Sequence, residues 1–336
     1  MIRFAWLQFR VQAAIAVGAL AVIAVVLAVT GPNLAHLYDT TVANCASYHN
    51  CSTALTNFTN TDGAIQIFMD FLVLVVPLLI GMFWGAPLVS REFEAGTFRL
   101  VWTQGVTRTR WLAVKLGLGT LMSMAAAGLL TLMVTWWSTR LDQVDADPFS
   151  TLHFGARDIV PIGYAAFGFT LGVTTGLLFH RLLPAILTAL IGFVAIRETM
   201  NAWVLPNLMT PFHTMLPITT STPVSVDQTA PGVVSAFEST RGVDIPNAWV
   251  YSVKIVDNAG HPATTSFLTH ACPLGNYGPV NPQDCTASLA AKFHQLVTYQ
   301  PASHYWPMQW YELAIFLGAS LALGGCCFWW INRPAS

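Results

Sequence analysis

The chain has 336 residues, 54% of them hydrophobic and only 9% charged, with a formal net charge of −1 and a mean hydropathy of +0.55. That balance excludes an ordinary soluble domain and, lacking a basic excess, argues against nucleic acid as a partner. Several runs reach the roughly 20 apolar residues that a bilayer helix needs, so the sequence reads as an integral membrane protein.

The lead MIRFAWLQFR, with Arg3 and Arg10, suits a helix lying in the membrane interface. Val11–Thr30 follows as the first span; it exceeds the roughly 7–15 apolar residues of a secretory signal and ends at Gly31-Pro32 without a small-x-small cleavage site. Residues 33–63 are polar. Ala64–Ser90 is the second span, with Asp70 as its one charge and with Pro77, Gly81, Gly85 and Pro87 pointing to a bent helix.

The main charged island lies next, Arg91–Lys115, between two apolar runs free of charge, Phe71–Ser90 and Leu116–Thr139. We read it as an elbow between membrane helices. Thr97 can cap a short helix over Phe98–Gln104, Gly105 can end it, and Phe98, Val101 and Trp102 fall on one face. Thr107 can cap the following helix, whose Arg108, Arg110 and Trp111 suit a membrane boundary. From the residues alone, this short helix is either an ordinary interface helix or a protein-docking helix.

The third span covers about Trp111–Thr139. A polar connection, Arg140–Asp158, follows and contains Asp142, Asp145 and Asp147. In the fourth span, about Ile159–Phe179, Gly168, Gly172 and Gly176 stand four apart and line one face for close helix packing. His180-Arg181 makes a tight turn into the fifth span, about Leu182–Leu205. Arg197 and Glu198 come only fifteen residues into that span, roughly 22 Å of a ~30 Å core. Either they face the protein interior and mark a functional position, or the helix ends early and they lie in the interface.

Residues 206–308 form the one long polar region. Ala248–Asp257 and Thr264–Thr269, joined by Asn258-Ala259-Gly260, read as a β-hairpin. Tyr305, Trp306, Trp310 and Tyr311 make an aromatic belt before the last span, about Tyr311–Ile331, which has Glu312 near its start. The expected fold is thus an all-α polytopic membrane protein with six transmembrane helices and a short cytoplasmic coupling-type helix within about 91–110. A large extracytoplasmic α+β insertion separates the fifth and sixth helices. Three segments follow: 1–205, 206–308 and 309–336.

Charge supports six spans with both ends in the cytoplasm. Arg3, Arg10, Arg91, Arg99, Arg108, Arg110, Lys115, Arg181 and Arg333 then fall in short cytoplasmic segments, nine of the fifteen basic residues. Cys45, Cys51, Cys272 and Cys285 fall in the two outer regions, as an oxidising compartment permits. Sequence proximity favours Cys45–Cys51 and Cys272–Cys285 over the other two connectivities. The histidines of the outer region (His261, His270, His294, His304) show no recognised zinc spacing with these cysteines, and no metal site is expected. GxxxxGK[ST], HExxH and GxSxG are all absent, so the chain is expected to bind no cofactor and to be no enzyme.

FWGAPLVSREFEAGTFRLVWTQGVTRTRWLAVKL resembles the first elbow of ATP-binding-cassette (ABC) transporter permeases of the type-2 exporter class, in particular a subfamily common in actinobacteria. The matching positions are Pro87, Glu92, Glu94, Gly96, Thr97, Trp102, Thr103, Gln104, Arg108, Arg110, Trp111 and Lys115. WLQFRVQ (Trp6–Gln12) and TYQPASHYWPMQWYELAIFL (Thr298–Leu317) resemble the same subfamily's lead and its entry into the last span. The region 207–297 is similar only loosely.

The resemblance implies a bacterial plasma-membrane subunit that works as a dimer, a homodimer of this chain, with two separate ABC ATPase subunits that carry ATP and Mg. It implies that the elbow docks on the ATPase through Glu92, Glu94, Gly96, Thr97, Phe98, Arg99, Leu100, Val101, Trp102 and Gln104. The implied activity is export of a hydrophobic or amphipathic compound: a drug, an antibiotic (hence resistance) or a lipid. Arg197, Glu198, Asp70 and Glu312 are the candidates to line its path. The alternative is a sensing or immunity module that uses the same ATPase coupling and its large outer domain.

Overall fold

The computed structural model describes residues 2–42, 51–96, 107–142, 148–218, 227–230, 233–236, 245, 247–264, 266–267, 270, 274–275, 278–279 and 282–333. Among the described residues, six helices are long and apolar enough to cross a membrane: Arg10–Thr40, Gly63–Glu94, Arg108–Asp142, Val160–Phe179, Leu182–Asn207 and Ala302–Ile331, here spans 1 to 6. All six coincide with the apolar runs of the sequence; span 4 matches its run closely and the other five extend beyond theirs, most at the end of span 1, which runs on to Thr40. The chain divides into two compact units, one holding Met1–Ala146, Ser150–Leu208 and Trp306–Ser336, the other Asp147–Phe149 and Met209–Tyr305.

In the first unit span 4 is the centre. The stripe of Gly168, Gly172 and Gly176 lies against span 2, as the four-residue spacing predicts. A Cβ on Gly168 would stand 2.5 Å from the Pro77 carbonyl oxygen, and one on Gly172 only 2.1 Å from that of Gly81. The two backbones are therefore in direct contact, which only hydrogen side chains permit. Span 2 accommodates this by opening into a π-helical turn over Gly81–Gly85, before a helical segment, Ala86–Glu94, runs into the elbow. Across span 4, the Phe169 ring fills the notch left by Gly119 of span 3, where an added Cβ would meet it at 2.1 Å. Ile80, Val89, Trp111, Leu112, Ala127, Val173, Leu177 and Cys327 complete this core. Span 4 ends at His180, whose left-handed backbone (φ 53°) makes the tight turn into span 5.

The second unit is built on an antiparallel sheet of β1 (Phe212–Pro217), β4 (Trp249–Val256) and β7 (His294–Gln300), with β7 central. Two small pairs, β2 (Asp227–Ala230) with β3 (Val233–Ala236) and β5 (Leu274–Gly275) with β6 (Gly278–Pro279), stand apart from it. Gln295, Val297 and Gln300 of β7 are buried, as are Val253 and Val256 of β4. Phe149 reaches into this unit and stacks on Trp249 at 6.1 Å. Cys285 is buried in the helix Pro282–Ala290; Cys45, Cys272 and the side chain of Cys51 lie outside the described residues.

The expected hairpin is half correct. β4 is its first arm, and the turn closes on Asp257, whose carboxylate accepts from Ala259 N and His261 N at 2.8 and 2.9 Å. Those backbone donors, His261 first, hold the Asp257 carboxyl below its ordinary range. The return arm gives only the bridge Val256–Pro262, and no described residue of 264–269 is in a strand. β4 pairs instead with β7, in the register Val253↔Val297.

Candidate functional site

At the elbow end, the helical segment Ala86–Glu94 sets two carboxylates on different partners. Glu92 pairs with Lys115 of span 3, and the Lys115 ammonium also lies 3.4 Å from the Leu88 carbonyl and 4.7 Å over the Trp111 ring. Both side chains are largely buried, 14% and 3% exposed. Glu94 accepts the backbone N–H of Leu182 at 2.8 Å. Leu182 begins the helix of span 5, and Arg181 before it offers no side-chain cap, so Glu94 places negative charge at an uncapped helix N-terminus. Between the two, Phe93 meets His180 edge-on at 4.6 Å.

Gly96 (φ 67°) ends the segment in the left-handed conformation. Thr107 caps span 3 as its sequence position predicts, accepting Arg110 N at 3.3 Å. Of the expected docking residues, Thr97, Phe98, Arg99, Leu100, Val101, Trp102 and Gln104 lie outside the described residues. Glu92 and Glu94 are tied to spans 3 and 5 of the same chain.

The opposite ends of spans 2 and 3 hold a buried ionic cluster. Asp70 binds the Arg157 guanidinium with both oxygens, one of them at 3.5 Å from Nη2. Arg157 reaches Asp142 as well, from Nε and Nη2 at 3.3 Å each. Asp142 further accepts from Gln66 at 2.9 Å and from Ser138 at 2.7 Å. His153 Nδ1 lies 2.7 Å from the second Asp70 oxygen. Its hydrogen-bonding contact with Asp70 raises the His153 pKa above its ordinary value, outweighing the burial that lowers it. With His153 protonated, two carboxylates face two cations and the cluster is neutral.

A second polar centre joins spans 4, 5 and 6. Tyr164 donates to Glu312 Oε1 at 2.5 Å, and both residues are fully buried. The other Glu312 oxygen is buried and has no hydrogen-bond partner among the described residues. Arg197 turns inward, its guanidinium 5.8 Å from the Tyr164 ring centre, whereas Glu198 stays 65% exposed and touches Arg197 at 3.7 Å. The pair therefore divides, one residue facing the interior and the other the surface. Gln309, one turn before Glu312, accepts Val160 N at 3.3 Å and donates to Phe154 O at 3.0 Å.

Of the four path candidates, then, Glu312 and Arg197 share one centre, Asp70 belongs to a separate cluster, and Glu198 is peripheral. Sequence reasoning overlooked Arg157, Asp142, Tyr164 and Gln309. Asp142 and Arg157 stand out as charges at or between the ends of two spans, but Tyr164 and Gln309 carry no signal that separates them from packing residues.

Six apolar spans, with close backbone packing at their centre, define a multi-pass membrane protein. Residues 17–205 match a family described as ABC-2 membrane transporter related. The match covers more than half of the chain, and the chain belongs to that family. Membership makes it an ABC-2-type permease, a membrane transport subunit of the kind that pairs with ABC ATPases. Neither the curated proteins nor the solved structures include a significant match.

Proposed function

We propose that this chain is the transmembrane permease of an ATP-driven exporter, moving a hydrophobic or amphipathic compound out of the cell. It works as a homodimer with two ATPase subunits, which hold ATP and Mg and seat the elbow, residues 91–104. Both chain ends lie in the cytoplasm and the 206–308 region outside, where Cys272 pairs with Cys285 and Cys45 with Cys51.

The observation that carries the reading is the anchoring of the elbow. Through Glu92–Lys115 and Glu94–Leu182, a force applied at 91–104 reaches span 3 and the turn between spans 4 and 5 as well as span 2. Closure of the ATPases on nucleotide then moves these spans together, and coupling requires that substrate and ATP favour different states. Nothing in this scheme needs a reacting group on this chain.

Purification of tagged protein in mild detergent tests it. An ABC ATPase is expected to co-purify at one copy per permease. Trp102→Ala is expected to release the ATPase or uncouple its hydrolysis from transport in vesicles, at unchanged expression. No ATPase under several gentle conditions, or wild-type coupling in the variant, overturns the assignment. The compact unit Met209–Tyr305 favours a second reading, a sensing module; ATPase association without any vesicle transport would select it.

A further inference from the structure

A cleft of about 350 Å³ opens between spans 1 and 3, away from the elbow, lined by residues 31, 32 and 35 of span 1 and by Trp136, Trp137, Thr139 and Arg140 of span 3. Its walls are fixed from both sides. Trp137 is buried and donates its indole N–H to Thr30 at 2.9 Å. Both indoles lie against span 1 at Gly31, where even an added Cβ would make only ordinary contact, with Trp137 at 3.4 Å and Trp136 at 3.5 Å. Trp136 is 61% exposed and continues an exposed apolar stripe, Leu129, Leu132 and Trp136, running one face of span 3 down from Arg140.

Arg140 is the first charge after the 24-residue apolar run Leu116–Thr139. That run measures roughly 36 Å, enough to cross a ~30 Å hydrocarbon core, so the guanidinium sits at headgroup level. It lies 5.2 Å over the Tyr38 ring, and among the described residues it meets no carboxylate. A half-buried cation with no counter-ion among the described residues, at the head of an apolar cleft continuous with a lipid-facing stripe, matches a phospholipid's two ends.

We infer that this cleft binds an anionic phospholipid, its phosphate on Arg140 and an acyl chain along Trp136 and the stripe below it. The aromatic rings hold the glycerol region at the boundary, where indoles prefer to lie.

The full-length protein, reconstituted in phosphatidylcholine vesicles, tests this by fluorescence. Brominated phosphatidylglycerol or brominated phosphatidylcholine is added at equal mole fraction, and the quenching lost in Trp136→Phe is taken as the Trp136 signal. Brominated phosphatidylglycerol is expected to quench that signal at roughly five-fold lower mole fraction, the factor for about 1 kcal/mol per basic side chain at an anionic surface. Arg140→Ala should abolish the preference and Arg140→Lys should restore most of it. In the wild type, unbrominated phosphatidylglycerol should reverse the quenching and inorganic phosphate should not. Equal quenching by the two lipids, a preference that survives Arg140→Ala, or no quenching by either because a second copy covers Trp136 would each overturn the inference.

Discussion

Spans 1 and 4 invert the rule that governs soluble proteins. Span 1 is the most apolar of the six, yet only 6% of its most apolar stretch is buried within the chain; span 4 is the least apolar, and 72% of its stretch is buried. In water the more apolar helix would take the core. In a bilayer, lipid tails receive Val and Ile as readily as another helix does, and what draws helices together is close fit. Span 4 owns that fit through Gly168, Gly172 and Gly176. Span 1 presents Val22, Val25 and Val29 outward instead.

Putting leucine in place of a glycine in each of the two spans tests that contrast with the largest expected effect. Gly172→Leu drives a side chain into the Gly81 carbonyl and is expected to cost at least about 3 kcal/mol, seen as loss of monodisperse protein or of its thermal midpoint. Gly18→Leu, with no neighbouring atom within 4 Å, should stay within about 0.5 kcal/mol of wild type. Equal tolerance of the two would refute the argument from packing.

Next in size is the ionic cluster beside that packing. Asp70→Asn leaves the Arg157 guanidinium with only the half-exposed Asp142, a loss approaching the ~3–5 kcal/mol of a broken buried pair. Arg157→Met added to Asp70→Asn should recover part of it, because the buried pair is then neutral and the Asp142 left without its cation is partly exposed. A double variant no better than the single would mean that the pair is not the cause.

The smallest effect expected is a pH dependence. The raised His153 pKa means that its contribution is complete below the ordinary histidine value and fades as pH climbs through the raised value of the folded protein. Thermal midpoints in detergent should therefore fall across that interval in wild type and flatten in His153→Gln. An unchanged slope in the variant would remove His153 from the cluster's charge balance.

Much of this was legible in the sequence because it is written locally. Six spans follow from runs of apolar residues, the span 4 contact face from a four-residue spacing, the Thr107 cap and the turn at His180 from single positions. What could not be read was pairing across distance. Asp70 and Arg157 stand 87 positions apart, and Tyr164 and Glu312 stand 148 apart; only the fold brings them together. The hairpin shows the opposite error: a good turn at Asp257–Gly260 promised a neighbouring strand, while β4 took its partner from β7, forty residues on. The elbow carboxylates look like surface charges by their setting, and their inward ties to Lys115 and Leu182 appear only once spans 3 and 5 are in place.

The π-helical turn at Gly81–Gly85 has a consequence of phase. There the Ala86 N–H reaches back five residues to the Gly81 carbonyl instead of four, so the turn holds one residue more than an α-helix would. Each residue advances a helix by about 100°. Because the extra residue is taken up within one wide turn, removing a residue from 81–85 would let the turn close to an α-helix with the segment after it facing nearly the same way. A residue removed from the α-helical stretch after it, within 86–91, would instead turn everything beyond through that angle, swinging Glu92 off Lys115 and Glu94 off the start of span 5. The elbow's orientation is thus kept by a count, and a one-residue deletion after the turn should do what no single side-chain replacement can, which is to detach both carboxylates at once.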